Sequence, residues 1–271
     1  MIRRFRAWIA LACAALILAL AGPSGAWGRL EDVRYKVKSQ DGNLWADRYG
    51  GGAILTGKIR ARKLMFTFDD GPFWPTTSKL LEVLERRGIK TAFFVSGHRL
   101  AGRDHDARQN RRTLREIYKR GHLVGNHSFA HKRLTEYPDE ELRWQLDEPA
   151  RLIREVTGET PRLFRPPFAV TGPTVLGMVA ERGWTPVLWC IDPSDWLRET
   201  ADDVLRATIR AIEERNGEGG IVLLHDTHAA TVEAFPRILD WLDQKNAELR
   251  ARGEEPYELV GLDAFFQRRR P

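Results

Sequence analysis

The chain has 271 residues, 42% of them hydrophobic and 30% charged, which is enough for a folded domain with a sizeable core. The net charge is +6, but Arg3, Arg4 and Arg6 supply half of that excess, and Arg268, Arg269 and Arg270 cluster at the far end. The body is therefore close to neutral, and it shows no basic face interleaved with aromatic residues, which argues against nucleic-acid binding.

Residues 1–26 read as a signal peptide: the basic "MIRRFR" precedes an apolar stretch, Ala7 to Ala21, and small residues offer cleavage after Ala21 or Ala26. The apolar stretch is short for a membrane span of ~20 residues. Export to the periplasm or cell exterior with cleavage is expected, and no stable membrane insertion afterwards; an uncleaved anchor is the alternative. Cys13 lies inside the apolar region, a poor place for lipidation. It would leave with the signal, so Cys190 is expected alone, without a disulfide, as a buried inert thiol. Residues 27–60 read as an N-terminal extension. Their "YGGGA" lacks the Lys-Ser or Lys-Thr of a phosphate loop and reads as a turn.

From Lys63 strand and helix patterns alternate. The short apolar run "KLMFTF" predicts a strand, and "TTSKLLEVLERRG" a helix that stops at Gly88. "KTAFFVSG" and "HLVGNH" read as strands on either side of the helix "RRTLREIYKRG". "DEELRWQLDEPARLIREVTG" predicts a long helix interrupted at Pro149. "RLFRPP", "TPVLWCID" and "GIVLLHD" follow as strands, separated by the helices "PTVLGMVAERG" and "ADDVLRATIRAIEERNG". A helix from about Val232 to Leu249 and a last strand, "YELVGL", complete the chain. This order implies a parallel sheet with crossover helices, as a barrel or a doubly wound sheet. No glycine-rich dinucleotide loop follows the first strand, which weakens the nucleotide-binding form of the latter.

Polar residues gather where strands end. Asp69 and Asp70 follow the first strand, His127 and His131 the third, and Arg165 the fourth. Asp192 and Asp195 follow the fifth strand, and His225 ends the sixth. In parallel barrels the active site forms at the C-terminal ends of the strands. Two adjacent carboxylates repel unless each has its own partner, although Asp-Gly-Pro is also ordinary turn chemistry. In "HSFAH" two imidazoles stand four residues apart, so one helical turn could aim both at a metal; two solvent-facing histidines are the alternative. One aspartate of the pair would complete an open His-His-Asp set with room for water.

Together, "TFDDG", "HSFAH", "RPPF", "DPSDW" and "LLH" resemble, in order, the blocks of the NodB-like polysaccharide deacetylases, carbohydrate esterase family 4. The resemblance runs from about Leu64 to Leu262 and marks 61–271 as the catalytic domain. It implies a distorted (β/α) barrel with about seven parallel strands. It further implies a metal-dependent enzyme that hydrolyses N-acetyl groups of an acetylated polysaccharide. Asp70, His127 and His131 match the ligands of a divalent metal, zinc before others. Asp69 matches the general base, Arg165 the arginine that holds it, His225 the general acid, and Asp195 the aspartate that orients the acid. Trp196 and Leu223 match residues of the acetyl pocket. Where the family reads Arg-Pro-Pro-Tyr-Gly, this chain has Phe168 and Ala169; the Phe168 amide is kept for the oxyanion.

Export points to N-acetylglucosamine of peptidoglycan as substrate. Chitin-like oligomers, an exopolysaccharide, O-acetylated xylan and a non-catalytic glycan-binding role are the alternatives. Trp74, beside "TFDDGPFW", is expected on a loop as a platform for a sugar ring. Trp144, Trp184 and Trp241 are expected in the core. His98, His105 and His228 are expected as loop residues, and Asp192 as a residue shaping the site.

Overall fold

The computed structural model describes Leu55 and residues 57–265. The signal peptide, Cys13, most of the extension and the Arg268–Arg270 cluster lie outside the described residues. Eight strands form one sheet: β1 (Lys58–Ile59), β2 (Lys63–Asp69), β3 (Ala92–Val95), β4 (Leu123–Asn126), β5 (Leu163–Phe164), β6 (Thr185–Pro186), β7 (Gly219–His225) and β8 (Glu258–Leu259). Six helices connect them: α1 (Trp74–Arg86), α2 (His105–Lys119), α3 (Asp139–Thr157), α4 (Pro173–Glu181), α5 (Ala201–Glu213) and α6 (Ala229–Ala251). The strand order is β1-β7-β2-β3-β4-β5-β6, with β8 beside the start of β2. Strands β2 to β8 pair with one another only in parallel, and β1 runs antiparallel, against β7.

The sheet curls into the expected distorted barrel. Beyond β6 the chain crosses toward β7, where Ile191 bridges Val222 and Leu55 bridges Val187. The fifth predicted strand is thus reduced to Thr185–Pro186 plus one bridge. Pro186 has no N–H for a ladder, and Leu55 takes its carbonyl at 2.8 Å.

Side-chain alternation sorts β2 and β7 into two faces. Leu64, Phe66 and Phe68 with Val222 and Leu224 point outward, into a core closed by α1, α5 and α6. Phe235 of α6 meets Phe66 and Phe68 edge-on at 5.2 and 5.3 Å. Met65 and Ile221 point into the barrel with Phe94 and Val187. The same phase carries Thr67, Asp69, Leu223 and His225 inward, so the top layer of the barrel interior is polar.

Three features differ from the sequence pattern. The second helix starts at His105, well before Arg111, because the Asp104 side chain caps it by accepting from the Ala107 N–H at 2.8 Å. His105 is therefore helical, not in a loop. Pro149 does not interrupt α3, which runs through to Thr157. Its ring is buried against Gly97, where a Cβ would touch the proline Cβ and Cγ, and this packing offsets the lost backbone bond. Trp144 is not core: it is 47% exposed, with its ring 4.5 Å from Phe129. Trp184 is buried, and Trp241 packs partly buried against the main core. No helix among the described residues is long and apolar enough to cross a membrane.

Candidate active site

The register of β2 and β7 sets the site, because Asp69 pairs with His225 as the last rung of that ladder. Asp69 is the final strand residue and faces inward. Asp70 turns out of the strand with φ 72°, which separates the two carboxylates. Asp69 receives the Arg165 Nη1–H at 2.7 Å. Arg165 is fully buried and gives its other protons to Thr67 Oγ1 (2.8 Å), Val187 O (3.0 Å) and Leu188 O (3.3 Å). Its guanidinium also lies 4.0 Å from the Phe94 ring centroid. Burial lowers the arginine pKa, and the charge and hydrogen bond of Asp69 act against that.

The loop after β4 brings in the two histidines. It is not a helical turn: Ser128 and His131 have φ of 64° and 50°. Asn126 Oδ1 accepts the Ser128 N–H at 2.9 Å, Gln145 Oε1 accepts the Ala130 N–H at 2.9 Å, and Ser128 Oγ accepts the His131 N–H at 3.3 Å. Asp70 Oδ1 then lies 3.4 Å from His127 Nε2 and 3.2 Å from His131 Nε2. One ligand atom from each of the three residues falls within 4.8 Å of the others.

This set fits a divalent cation. His127 Nδ1 donates to the Arg165 carbonyl at 2.7 Å, which leaves the Nε2 lone pair directed at Asp70. Asp70 Oδ1 is buried and has no hydrogen-bond partner. Burial works against ionisation of Asp70, yet His127, His131 and His225 hold its pKa far below the carboxylate range. For His127, burial opposes the charged form, but Asp69 and Asp70 raise its pKa overall. In His131, burial and the neighbouring His127 lower it. A cation in place of the His127 proton would satisfy the same carboxylate, and metal binding would release that proton.

Opposite the histidines, Asp195 grips His225 twice: Oδ2 accepts the backbone N–H at 2.8 Å and Oδ1 accepts Nδ1–H at 2.7 Å. Thr231 Oγ1 donates to the same Oδ2 at 2.7 Å. Burial alone would lower the His225 pKa, but the Asp195 hydrogen bond and charge, with Asp69 and Asp70, push it up to about 9. The folded imidazole thus holds its proton more tightly than the unfolded one near 6.5. Its contribution to stability is complete below 6.5 and is lost as pH rises through about 9. Asp195→Asn should therefore move the high-pH limit of stability, and the basic limb of any activity that needs a protonated His225, to lower pH. Denaturant titrations and rate profiles at several pH values would check this.

Phe168 and Trp196, the latter directly after Asp195, are each 53% exposed. The Phe168 ring lies 4.7 Å from His131 and 5.5 Å from the Arg133 guanidinium carbon. Phe168 and Ala169 both adopt left-handed φ, 59° and 55°. Of the seven non-glycine residues with positive φ among those described, Asp70, Ser128, His131, Phe168, Ala169 and Ser194 lie in the loops of this site, so backbone strain concentrates here. Among the described residues no carbonyl accepts the Phe168 N–H. Leu223 is buried, two residues before His225 and on the same face of β7.

Trp74 opens α1 rather than lying on a loop, and its contacts run to α2: its backbone N–H donates to Asn110 Oδ1 at 2.9 Å and its indole N–H to Asp106 Oδ1 at 3.4 Å. Asp192 accepts from Trp189 Nε1 and from the Ser194 N–H, at 3.1 and 2.7 Å. His228 is the N-cap of α6, its ring 5.9 Å from that of His225. Cys190 is half-buried, its thiol donating to the Gly57 carbonyl at 3.2 Å, and burial raises its pKa. Sequence reasoning passed over Asp226. It is fully buried directly after His225; burial, with Asp70 adding, pushes its carboxyl up to about 7 against the Thr77 hydrogen bond. Its signal was a second acid adjoining "LLH".

A parallel barrel whose top layer joins a carboxylate–arginine pair, an aspartate–histidine pair and an Asp-His-His cluster defines a hydrolase-type site. Comparison with known proteins agrees. The polysaccharide deacetylase family profile matches residues 56–187. A peptidoglycan-N-acetylglucosamine deacetylase of Bacillus cereus is 26% identical over 82% of this chain and 74% of its own length. The peptidoglycan-N-acetylglucosamine deacetylase PgdA of Listeria monocytogenes is 29% identical over 88% of this chain, which spans only 47% of that relative. The structure of a family 4 carbohydrate esterase from Streptomyces lividans, in complex with acetate, is 32% identical over 68% of this chain and 88% of its own, with a TM-score of 0.57. The chain belongs to the NodB-like polysaccharide deacetylases of carbohydrate esterase family 4.

Proposed function

We propose that this protein is an exported deacetylase that hydrolyses N-acetyl groups of a glycan, with N-acetylglucosamine in peptidoglycan as its substrate. The observation that carries this reading is the pairing of Asp69 with His225 across one rung of the sheet, beside a ligand cluster they do not belong to. On this reading a base and an acid stand side by side on the inner face of the sheet. Two relatives that match most of this chain are named for removal of the same acetyl group, and the basic, apolar N-terminus supports export to that polymer.

Asp70, His127 and His131 would hold the cation, with zinc the first choice for a two-histidine, one-carboxylate donor set. When bound, such an ion supplies Lewis-acid polarisation of the carbonyl and a lowered pKa for water. The chain's own groups would do the rest. Asp69, oriented by Arg165, takes a proton from the attacking water. The Phe168 N–H donates to the oxygen that gains charge. His225, whose Nδ1–H is held by Asp195, presents Nε2–H to the departing nitrogen, because an amine leaves far more easily than an amide anion. Each proton transfer is worth about 10²–10⁴ in rate. Trp196 and Leu223 would flank the acetyl methyl.

The test is acetate release from peptidoglycan, chitin-like oligomers and O-acetylated xylan, with and without chelator and with zinc restored. Release from peptidoglycan that falls at least a hundredfold on chelation and returns with zinc is the expected result. Zinc bound without release from any polymer would favour a silent glycan-binding protein. N-terminal sequencing of the exported protein, expected to begin after Ala21 or Ala26, tests the signal.

A further inference from the structure

The β2–β7 ladder ends at Asp69 and His225. Asp70 and Asp226 come next, and beyond that rung side chains must hold the two loops in relation. Asp226 sits at this place with no exposed surface. Its Oδ2 accepts from Thr77 Oγ1 at 2.5 Å. Thr77 Oγ1 already accepts the Phe73 N–H at 2.9 Å, so its one proton is free for the carboxyl. The Asp226 carbonyl accepts from Thr76 Oγ1 at 2.5 Å. Two threonines of the first turn of α1 thus hold Asp226 from both ends. Its Oδ1 is buried without any partner.

The carboxyl also lies flat on Gly71. A Cβ added to Gly71 would collide with both oxygens and the carboxyl carbon of Asp226. Gly71 is not in the left-handed region, so this glycine is needed for the close approach of a carboxylate and not for its own φ. A buried polar oxygen without a partner is costly, an arrangement that fits a role beyond packing.

We infer that Asp226 is a positioning residue: its carboxyl is a wedge between the Asp70–Gly71 turn and α1, and it sets the separation of the ligand turn from the acid His225. The inference rests on the deacetylase reading for its kinetic part only. Gly71, next to Asp70, and Thr77 of α1 meet the Asp226 side chain, Thr76 of α1 holds its carbonyl, and Asp226 itself follows His225.

A double-mutant cycle on the full chain tests it. Gly71→Ala in the native background should lower kcat for acetate release at least a hundredfold and weaken zinc binding about tenfold, by driving Cβ into the wedge. In the Asp226→Ala background, where that space is empty, the same change should cost less than threefold in both readouts. Asp226→Ala alone should lower kcat about a hundredfold with KM within threefold. Asp226→Asn, which keeps an oxygen for Thr77 and the shape over Gly71, should remain within about tenfold of native. Equal losses from Gly71→Ala in both backgrounds, or Asp226→Asn as inactive as Asp226→Ala, would overturn the wedge. If the native chain binds zinc but releases no acetate, the deacetylase reading fails, and the zinc-affinity cycle still decides whether the wedge positions the ligand turn.

Discussion

Asp69→Asn is expected to leave the bound metal in place and to lower kcat by about 10³–10⁴, at the upper end of what one general base contributes. The substitution changes charge and almost nothing else. Asn offers the same Oδ1 to Arg165 Nη1, which now sits 2.7 Å away. Thr67, Val187 and Leu188 still receive the remaining guanidinium protons. What is lost is a group able to accept a proton, and the counter-charge of a buried arginine. Removing one partner of a buried pair costs about 3–5 kcal/mol when the other is left bare; three retained acceptors place this case below that range. The folded protein should persist, with a lower Tm. Asp69 is outside the ligand cluster, so metal content measured by atomic spectroscopy should match the native protein. Metal lost with turnover retained would exchange the roles of Asp69 and Asp70.

That separation of roles was only partly legible in the sequence. "TFDDG" announces two carboxylates at a strand end, and period-two alternation says that they leave the strand on different sides. The backbone adds the reason they do not fight: Asp70 takes φ 72°, so it joins the histidine loop while Asp69 stays inside the barrel with Arg165. The alternation of strands and helices was readable because each buried strand is a short apolar run and each helix has an apolar stripe. Two boundaries were hidden for definite reasons. The start of α2 is mostly charged, and its signal is one capping aspartate, Asp104. Pro149 reads as a breaker, but its packing on Gly97 is a tertiary fact that no local rule contains. The groups that hold the site groups were illegible for a similar reason. Asn126, Gln145, Thr231 and Asp226 are polar residues in otherwise ordinary elements, and only the folded chain places them against Ser128, Ala130, Asp195 and Gly71. "HSFAH" shows the same limit: its spacing suits one helical turn, yet the protein achieves convergence with a left-handed loop braced by side chains.

His127→Ala should remove both metal and turnover, and it should do so more completely than His131→Ala. His127 is 2% exposed and His131 half-buried. His127 makes two contacts that matter: Nδ1–H to the Arg165 carbonyl at 2.7 Å and Nε2 facing Asp70 Oδ1 at 3.4 Å. Truncation therefore unpairs a buried carbonyl of the strand-end arginine that orients Asp69, as well as deleting a ligand. An unsatisfied buried acceptor costs about 1–3 kcal/mol, so a drop in Tm should accompany the loss of metal. Lewis-acid stabilisation of developing charge is worth several kcal/mol, and each 1.36 kcal/mol is tenfold in rate; kcat should fall by at least about 10³. Added zinc should not restore His127→Ala, because the second defect lies behind Asp69, whereas excess zinc should partly restore His131→Ala, where only a ligand at the rim is missing. Equal rescue of both variants would mean that His127 acts as a ligand alone and does not tie the metal site to the base. Full activity of His127→Ala after chelation and dialysis would remove the cation from the reaction altogether.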